Sequence, residues 1–338
     1  MPELSTLWFW LVALLLTLWA VLDGFDFGVG VLHRFVAHTD AERRQVMATI
    51  GPVWDGNEVW LIAAGGSLFL AFPRLLASGM SGFYLPVIFT VWCLILRGTS
   101  IELRNHLDGA LWRSFFDTTF ALGSLGVPVL MGAALGNIIR GVPLRADGYF
   151  ELPLFSTEGS LGVLDGYTLF IAVLVTLTLT AHGSNWLAWK TDGEVHARVL
   201  RIRFPLWIAT AIAWLFSIIA TARVWPEALT QFSARPMAWL GLAAALAGLA
   251  VIFVKRREEK LPFFGGAAFI AGVFIVTVGT LFPTVLRAVD STHSLTTTSA
   301  MSNANSLSAG VFWWIPGIGA AAAYYWWVFR HFRGKVSA

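Results

Sequence analysis

Charge is scarce in this sequence. Asp, Glu, Lys and Arg make up 13% of its 338 residues, against roughly 25% in a soluble domain. With 57% hydrophobic residues and a mean hydropathy of +0.70, a disordered chain is excluded and a polytopic membrane protein is the class that fits. Cysteine is nearly absent. Cys93, in the apolar run Val91 to Leu96, stands alone, which excludes an internal disulfide and any Cys-rich metal or iron–sulfur site. There is no P-loop, no Gly-x-Gly-x-x-Gly after a strand, and no serine nucleophile motif. The net charge of +3 is spread over many loops, with no basic tract for a nucleic acid. Histidines are His33, His38, His106, His182, His196, His293 and His331. None forms a His-x-x-x-His pair, and only His182 falls well inside an apolar segment. A metal or haem site made by this chain alone is therefore not expected, and His182 reads as a packing histidine. The N-terminus lacks the basic stretch of a signal peptide, because the first Lys or Arg is Arg34. The run from Leu7 reads as a retained first helix.

What the sequence has in quantity is apolar segments. Nine are visible, at about 7–32, 52–72, 80–101, 115–139, 163–188, 204–223, 236–254, 263–287 and 310–330, each near the ~20 residues of a membrane span. They predict an all-α, nine-span protein with a single integral membrane domain over 1–338. With the N-terminus outside and the C-terminus in the cytoplasm, seventeen of the 23 Lys and Arg residues fall on the inner side, as the positive-inside rule requires. Seventeen tryptophans are present. Trp8, Trp10, Trp112, Trp207, Trp225, Trp313, Trp314, Trp326 and Trp327 lie near predicted helix ends and read as an aromatic belt. The stretch Arg140 to Gly162, with Asp147, Glu151 and Glu158, reads as a small outer cap. Asp290 to Gly310, rich in Ser, Thr and Asn, reads as an ordered outer loop or interface segment.

Ionisable residues inside apolar segments are expensive and mark functional positions. Asp23 and Asp26 lie in the first segment, and Asp55 and Glu58 open the second. Each pair is spaced i, i+3, which puts both carboxylates on one side of a helix. Arg97, Glu102 and Arg104 lie at the inner end of the third. Arg97 is deep enough to need a counter-ion from the carboxylates, with Glu102 as a further electrostatic partner. Three readings stand side by side. The carboxylates form a static ion-pair network locking the first three helices, they take up and conduct protons, or they coordinate a cation or substrate. Gly24 and Gly28 form a Gly-x-x-x-Gly pair that allows close helix approach beside the cluster. Intramembrane carboxylates near glycine-rich helix breaks also suit a proton- or cation-coupled secondary transporter, the rival reading.

Particular motifs narrow the field. Asp23-Gly24-Phe25-Asp26-Phe27-Gly28-Val29-Gly30 and Ile50-Gly51-Pro52-Val53-Trp54-Asp55-Gly56-Asn57-Glu58-Val59-Trp60-Leu61 resemble the first two helix motifs of subunit II of cytochrome bd-type quinol oxidases. Gly65-Gly66, Phe72-Pro73, Ser81-Gly82-Phe83-Tyr84, Arg97-Gly98, Gly136-Asn137 and Gly141-Val142-Pro143 follow in the family's order, and late in the chain so do Phe282-Pro283, Ser294-Leu295-Thr296 and Asn303-Ala304. The compact connection Arg223 to Arg235 and the brief tail after Arg330 look like the shorter, cyanide-insensitive branch. The resemblance implies two four-helix bundles plus a peripheral helix, in a bacterial cytoplasmic membrane. It implies a haem-free subunit of a terminal oxidase that oxidises quinol and reduces dioxygen to water. The haems, b and d or b alone, would be held by a haem-bearing subunit I. A structural quinone and a small single-helix accessory subunit are compatible with the same resemblance. At residue level it places Asp55, Glu58, Asp23 and Asp26 on a proton route from the cytoplasm, Asp55 foremost, with Arg97 as their counter-charge.

Overall fold

The structure, a computed structural model, describes residues 2–156 and 161–337. Helix α1 (Pro2–Val36) runs unbroken because proline occurs only at its first position, where the missing N–H costs nothing. Helix α2 (Asp40–Ile50) lies beyond it, opened by a capping box. Thr39 Oγ1 accepts from Glu42 N at 3.3 Å, and the Glu42 carboxylate accepts from Thr39 N at 3.0 Å. Helices α3 (Trp54–Ala71) and α4 (Pro73–Gly82) meet at 119°, where Pro73 offers no backbone donor to continue α3. Then come α5 (Tyr84–Leu103), α6 (Ala110–Arg140), α7 (Gly166–Lys190) and α8 (Gly193–Val224). After them follow the short α9 (Ala228–Ser233), α10 (Pro236–Val254) and α11 (Leu261–Leu281). A two-stranded antiparallel hairpin, β1 (Thr284–Leu286) and β2 (Leu295–Thr296), precedes the single turn α12 (Thr297–Ala300) and the last helix α13 (Ala304–His331).

Among the described residues, eight helices are long and apolar enough to cross a membrane, or nine if the bent α3–α4 pair is one span. Each of the nine expected segments contains a helix, although 80–101 takes in the end of α4 and the break at Phe83 before α5. The one at 52–72 reaches the hydropathy of a span only jointly with α4, since Asp55, Asn57 and Glu58 dilute its apolar character. Helix α11 stops at Leu281, short of the expected 287, because Pro283 interrupts it and the chain turns into β1. The fold is thus helical with one small hairpin added.

Helix α1 sits at the centre, against α3, α6, α7 and α11, while α5 packs on α6, α8 on α7, and α10 on α11. Helices α1, α3, α5 and α6 make one four-helix group and α7, α8, α10 and α11 a second. Helix α13 lies on the outside against α3 and α1, with 6% of its apolar stretch buried. The two groups meet where Gly28 crosses Gly183. A Cβ on Gly28 would fall 2.0 Å from the Leu179 carbonyl oxygen, and one on Gly183 would fall 2.4 Å from the Gly28 carbonyl carbon. The Gly24/Gly28 pair is therefore a helix-crossing point, where absent side chains let backbones touch.

The described parts of the connections after α6 and after α11 are hydrogen-bonded to each other. Val142 bridges to the segment after β1, its N donating to Arg287 O and its O accepting from Val289 N, both at 2.9 Å. Phe150 is buried against Phe83, so the segment after α6 does cap the ends of α4 and α5; Glu158 lies outside the described residues. The tryptophans divide. Trp313, Trp326 and Trp327 are exposed, as a belt requires, but Trp8, Trp207 and Trp225 are buried. Trp8 Nε1 instead donates to Leu307 O at 3.1 Å, joining α1 to α13. An indole tolerates the interior when its N–H finds a carbonyl there.

Candidate functional site

Three helices converge on Arg97. Gly123 on α6 admits α5 closely, since a Cβ there would lie 2.6 Å from the Cys93 carbonyl oxygen, and that approach seats Arg97 in the interior. Its Nη2 is 2.7 Å from Asp23 Oδ1 and 3.6 Å from Asp26 Oδ2, and all three side chains are fully buried. Its Nη1 donates to Glu58 Oε1 at 3.1 Å, with Glu58 21% exposed. The guanidinium also lies over the Phe27 ring at 4.4 Å. A second layer of donors holds the carboxylates. Trp19 Nε1 donates to Asp23 Oδ2 and Asn57 Nδ2 to Asp26 Oδ2, both at 2.8 Å, and the Tyr325 hydroxyl donates to Asn57 Oδ1 at 3.1 Å. Three carboxylates thus surround one guanidinium. The i, i+3 spacing does put Asp23 and Asp26 on one side of α1, and the structure brings both to Arg97.

Asp55 and Glu102 are placed differently. Both are exposed and neither reaches Arg97. Arg97 pairs with Glu58, not with the expected Asp55. The reason is helical phase. Asp55 heads an exposed stripe that continues as Val59, Ile62 and Phe69, pointing away from α1, whereas Glu58 is turned inward.

Sequence reasoning missed a second cluster, built on Asp117 of α6. This fully buried carboxylate meets His33 Nε2 at 2.7 Å, Arg104 Nε at 2.6 Å and Arg43 Nη1 at 3.0 Å. Arg104 also donates to Asp40 Oδ1 at 2.8 Å. Asp117 lies at the start of its apolar segment, where an acid reads as the edge of a loop. The available signal was spacing. His33 follows Asp26, and Arg104 follows Arg97, at i+7, so each cluster repeats about two turns along the same helices.

An apolar cavity of about 720 Å³ lies between the two bundles. Phe27, Phe83, Met131, Trp214, Phe269 and Leu281 are among its walls. It suits a long apolar molecule and offers few polar groups to orient one.

The sequence matches the family model for cytochrome bd terminal oxidase subunit II over residues 4–332. The chain belongs to that family. It is 30% identical over 340 residues to the cytochrome bd ubiquinol oxidase subunit 2 of Bacillus subtilis, covering 98% of this chain and 97% of that one. It is 37% identical over 222 residues to the cytochrome bd-I ubiquinol oxidase subunit 2 of Escherichia coli, covering 66% and 57%. In fold it matches a chain of the bd oxidase from Geobacillus thermodenitrificans with a TM-score of 0.78 at 16% identity, covering 98% of both chains.

As a bd-family subunit II, the chain is a multi-pass membrane component of an oxidoreductase, and the transporter reading gives way. A cytochrome complex contains haem, and the surroundings of the buried histidines bear on whether they could ligate one. His182 Nε2 lies 3.2 Å from the Val21 carbonyl oxygen, and its ring stacks on Phe263 at 4.8 Å. A Cβ on Gly266 would fall 2.7 Å from its Nδ1, so backbone closes that side. His33 is committed to Asp117. Among the described residues, no histidine lines the cavity and no three His, Cys, Asp or Glu side chains converge as metal ligands. Neither buried histidine faces the cavity as a haem ligand would.

Proposed function

We propose that this chain supports a haem-bearing subunit I in a quinol-oxidising, dioxygen-reducing complex of the bacterial cytoplasmic membrane, and that its Arg97 cluster carries protons from the cytoplasm. The observation that carries this reading is the set of three carboxylates around one buried guanidinium in a subunit of an oxygen-reducing family. Reduction of dioxygen to water consumes protons, and titratable groups at membrane depth are what a route for them requires. The excess of carboxylates over counter-charge gives the site acceptors beyond those a static ion pair needs. Asp55 is the surface end of this route. It stands on a stripe with Val59, Ile62 and Phe69, and a carboxylate there suits a protein neighbour better than hydrocarbon, so subunit I covers this face. The biased distribution of Lys and Arg supports an outer N-terminus and a cytoplasmic C-terminus. The apolar cavity is the natural seat of a structural quinone.

The test is co-purification. A tagged chain should bring down a haem-bearing membrane partner in one-to-one ratio, with quinol-driven oxygen consumption in the pair and no stoichiometric haem in this chain alone. A monodisperse single chain with its own haem and quinol oxidase activity would overturn the reading.

A further inference from the structure

Asp26, Gly30 and His33 lie at i, i+4 and i+7 on α1 and therefore share one face. Asp26 and His33 are about 10 Å apart along the axis at ~1.5 Å per residue. At the level of Gly30 the missing side chain is replaced from α6, since a Cβ on Gly30 would fall 1.9 Å from Ser124 Oγ. The Ser124 hydroxyl thus stands against Gly30, about one turn of α1 from both Asp26 and His33, with the Phe120 ring beside it packed on His33 at 5.2 Å. All three side chains are fully buried. In each, one polar atom has no hydrogen-bond partner among the described residues: Asp26 Oδ1, Ser124 Oγ and His33 Nδ1. Buried polar atoms are nearly always satisfied, and where protein does not supply the partner ordered water does. Three such atoms in sequence along one helix face make a polar thread through an otherwise apolar bundle. Three helices build it with the same step, as Asp26/His33 on α1, Arg97/Arg104 on α5 and Asp117/Ser124 on α6.

We propose that this thread is the proton intake of the Arg97 cluster, running from His33 past Ser124 to Asp26. The proposal rests on the reading of that cluster as a proton carrier. The groups facing His33 are Asp117 from α6, Arg104 from α5 and Arg43 from α2. Arg43 is 25% exposed and Asp40, on the far side of Arg104, is 32% exposed, so the thread ends at the solvent-facing side of α2. His33 Nδ1 takes a proton from water, and Asp117 stabilises the imidazolium through Nε2–H. Nδ1 then releases the proton along water past Ser124 Oγ, and Asp26 Oδ1 accepts it. An O–H bond of a hydronium ion breaks as the N–H bond forms on His33; that N–H bond then breaks, each water on the way gains one O–H bond as it gives up another, and the last O–H bond forms on Asp26. In this scheme Asp117, held by two arginines, is a positioning residue for His33.

The experiment uses the intact complex with its haem-bearing partner and compares Asp26→Asn, His33→Phe and Ser124→Val. The readouts are haem content, oxygen consumption from about pH 6 to about pH 9, and the solvent hydrogen-isotope effect. All three variants should keep their haems and slow by roughly tenfold or more, with an enlarged isotope effect and a deficit that grows as pH rises. If Asp26→Asn is slow while His33→Phe and Ser124→Val run at the wild-type rate, the intake lies elsewhere and the cluster's role stands. If Asp26→Asn also runs at the wild-type rate, the cluster's role fails and the intake fails with it. Should His33→Phe fail to assemble, Ser124→Val and Ser124→Ala decide, because each replaces the hydroxyl with apolar atoms only and leaves every ion pair of Asp117 in place.

Discussion

Arg97 lies 2.7 Å from Asp23 across the contact between α5 and α1, and water reaches neither side chain. Such a pair is held together by the penalty for separating it more than by net attraction. Two charges removed from water are costly, and the loss of one leaves the other with nothing to answer it. Here the stake is larger, because Asp26 and Glu58 share the same guanidinium.

Arg97→Gln should therefore prevent assembly. Removing one partner of a buried pair costs about 3–5 kcal/mol, comparable to the whole stability margin of many domains. The measurement is the yield of detergent-extracted complex and its unfolding midpoint. Arg97→Lys keeps the charge but loses the fork that reaches Asp23 and Glu58 together, and should give intermediate yield. Wild-type yield and midpoint for Arg97→Gln would show that the cluster does not hold these helices.

The crossing of α1 and α7 gives a second test. Gly28→Val has no space, with the Leu179 carbonyl oxygen 2.0 Å from the position of a Cβ. Overpacking should cost about 1–3 kcal/mol or more and lower the unfolding midpoint of the complex. Gly65→Ala is the control, because nothing lies within 4 Å of a Cβ there. Equal midpoints for the two variants would contradict the close approach.

Most of this architecture could be read from the sequence because membrane helices announce themselves by hydropathy, and buried charge stands out against so apolar a background. Asp23, Asp26, Glu58 and Arg97 came together as the i, i+3 spacing and the need for a counter-ion required. The errors have physical causes. Asp55 was drawn into the cluster with Glu58, but i, i+3 neighbours differ by about 60° in helical phase, enough to turn one outward. Asp117 was passed over because hydropathy marks where a helix becomes apolar, not where it begins. Trp8, Trp207 and Trp225 were assigned to the lipid interface by position alone, which says nothing about which face of a helix they occupy. The hairpin after Phe282 needed a partner strand that local pattern does not specify.

The junction between α1 and α2 is sensitive to acid. Arg198 reaches across from α8 to donate to both Glu42 oxygens at 2.9 Å, and the backbone N–H groups of His38 and Thr39 donate to the same carboxylate. These donors hold the Glu42 carboxyl down at about 2, against an ordinary value of 4.5. A folded value below the unfolded one means the contribution is fully present above pH 4.5 and is lost as pH falls from there toward 2. Glu42→Gln should lower the unfolding midpoint at neutral pH, and its difference from wild type should close as pH drops through that window. A difference that is constant with pH would mean that the hydrogen bonds, not the charge, carry the effect.

Asp55 poses the sharpest question about function. It is exposed, it heads an apolar stripe of α3, and it sits one turn before Glu58, the one carboxylate of the cluster that is not fully buried. Exposure therefore falls in steps from Asp55 to Glu58 to Asp26, the grading expected where a proton route passes between the interior and the surface of the subunit. If protons take this course, Asp55→Asn removes an obligatory carrier without removing a counter-charge, because Arg97 does not depend on Asp55. The complex should assemble with its haems, and oxygen reduction should slow by roughly tenfold or more. A purely structural Asp55, bound to a cation on the partner, makes the opposite forecast, in which haem content and assembled complex fall together and the activity per haem is unchanged. Oxygen consumption normalised to haem separates the two. Normal assembly with the wild-type rate per haem from about pH 6 to about pH 9 would remove Asp55 from the route and leave Glu58 as its outermost member.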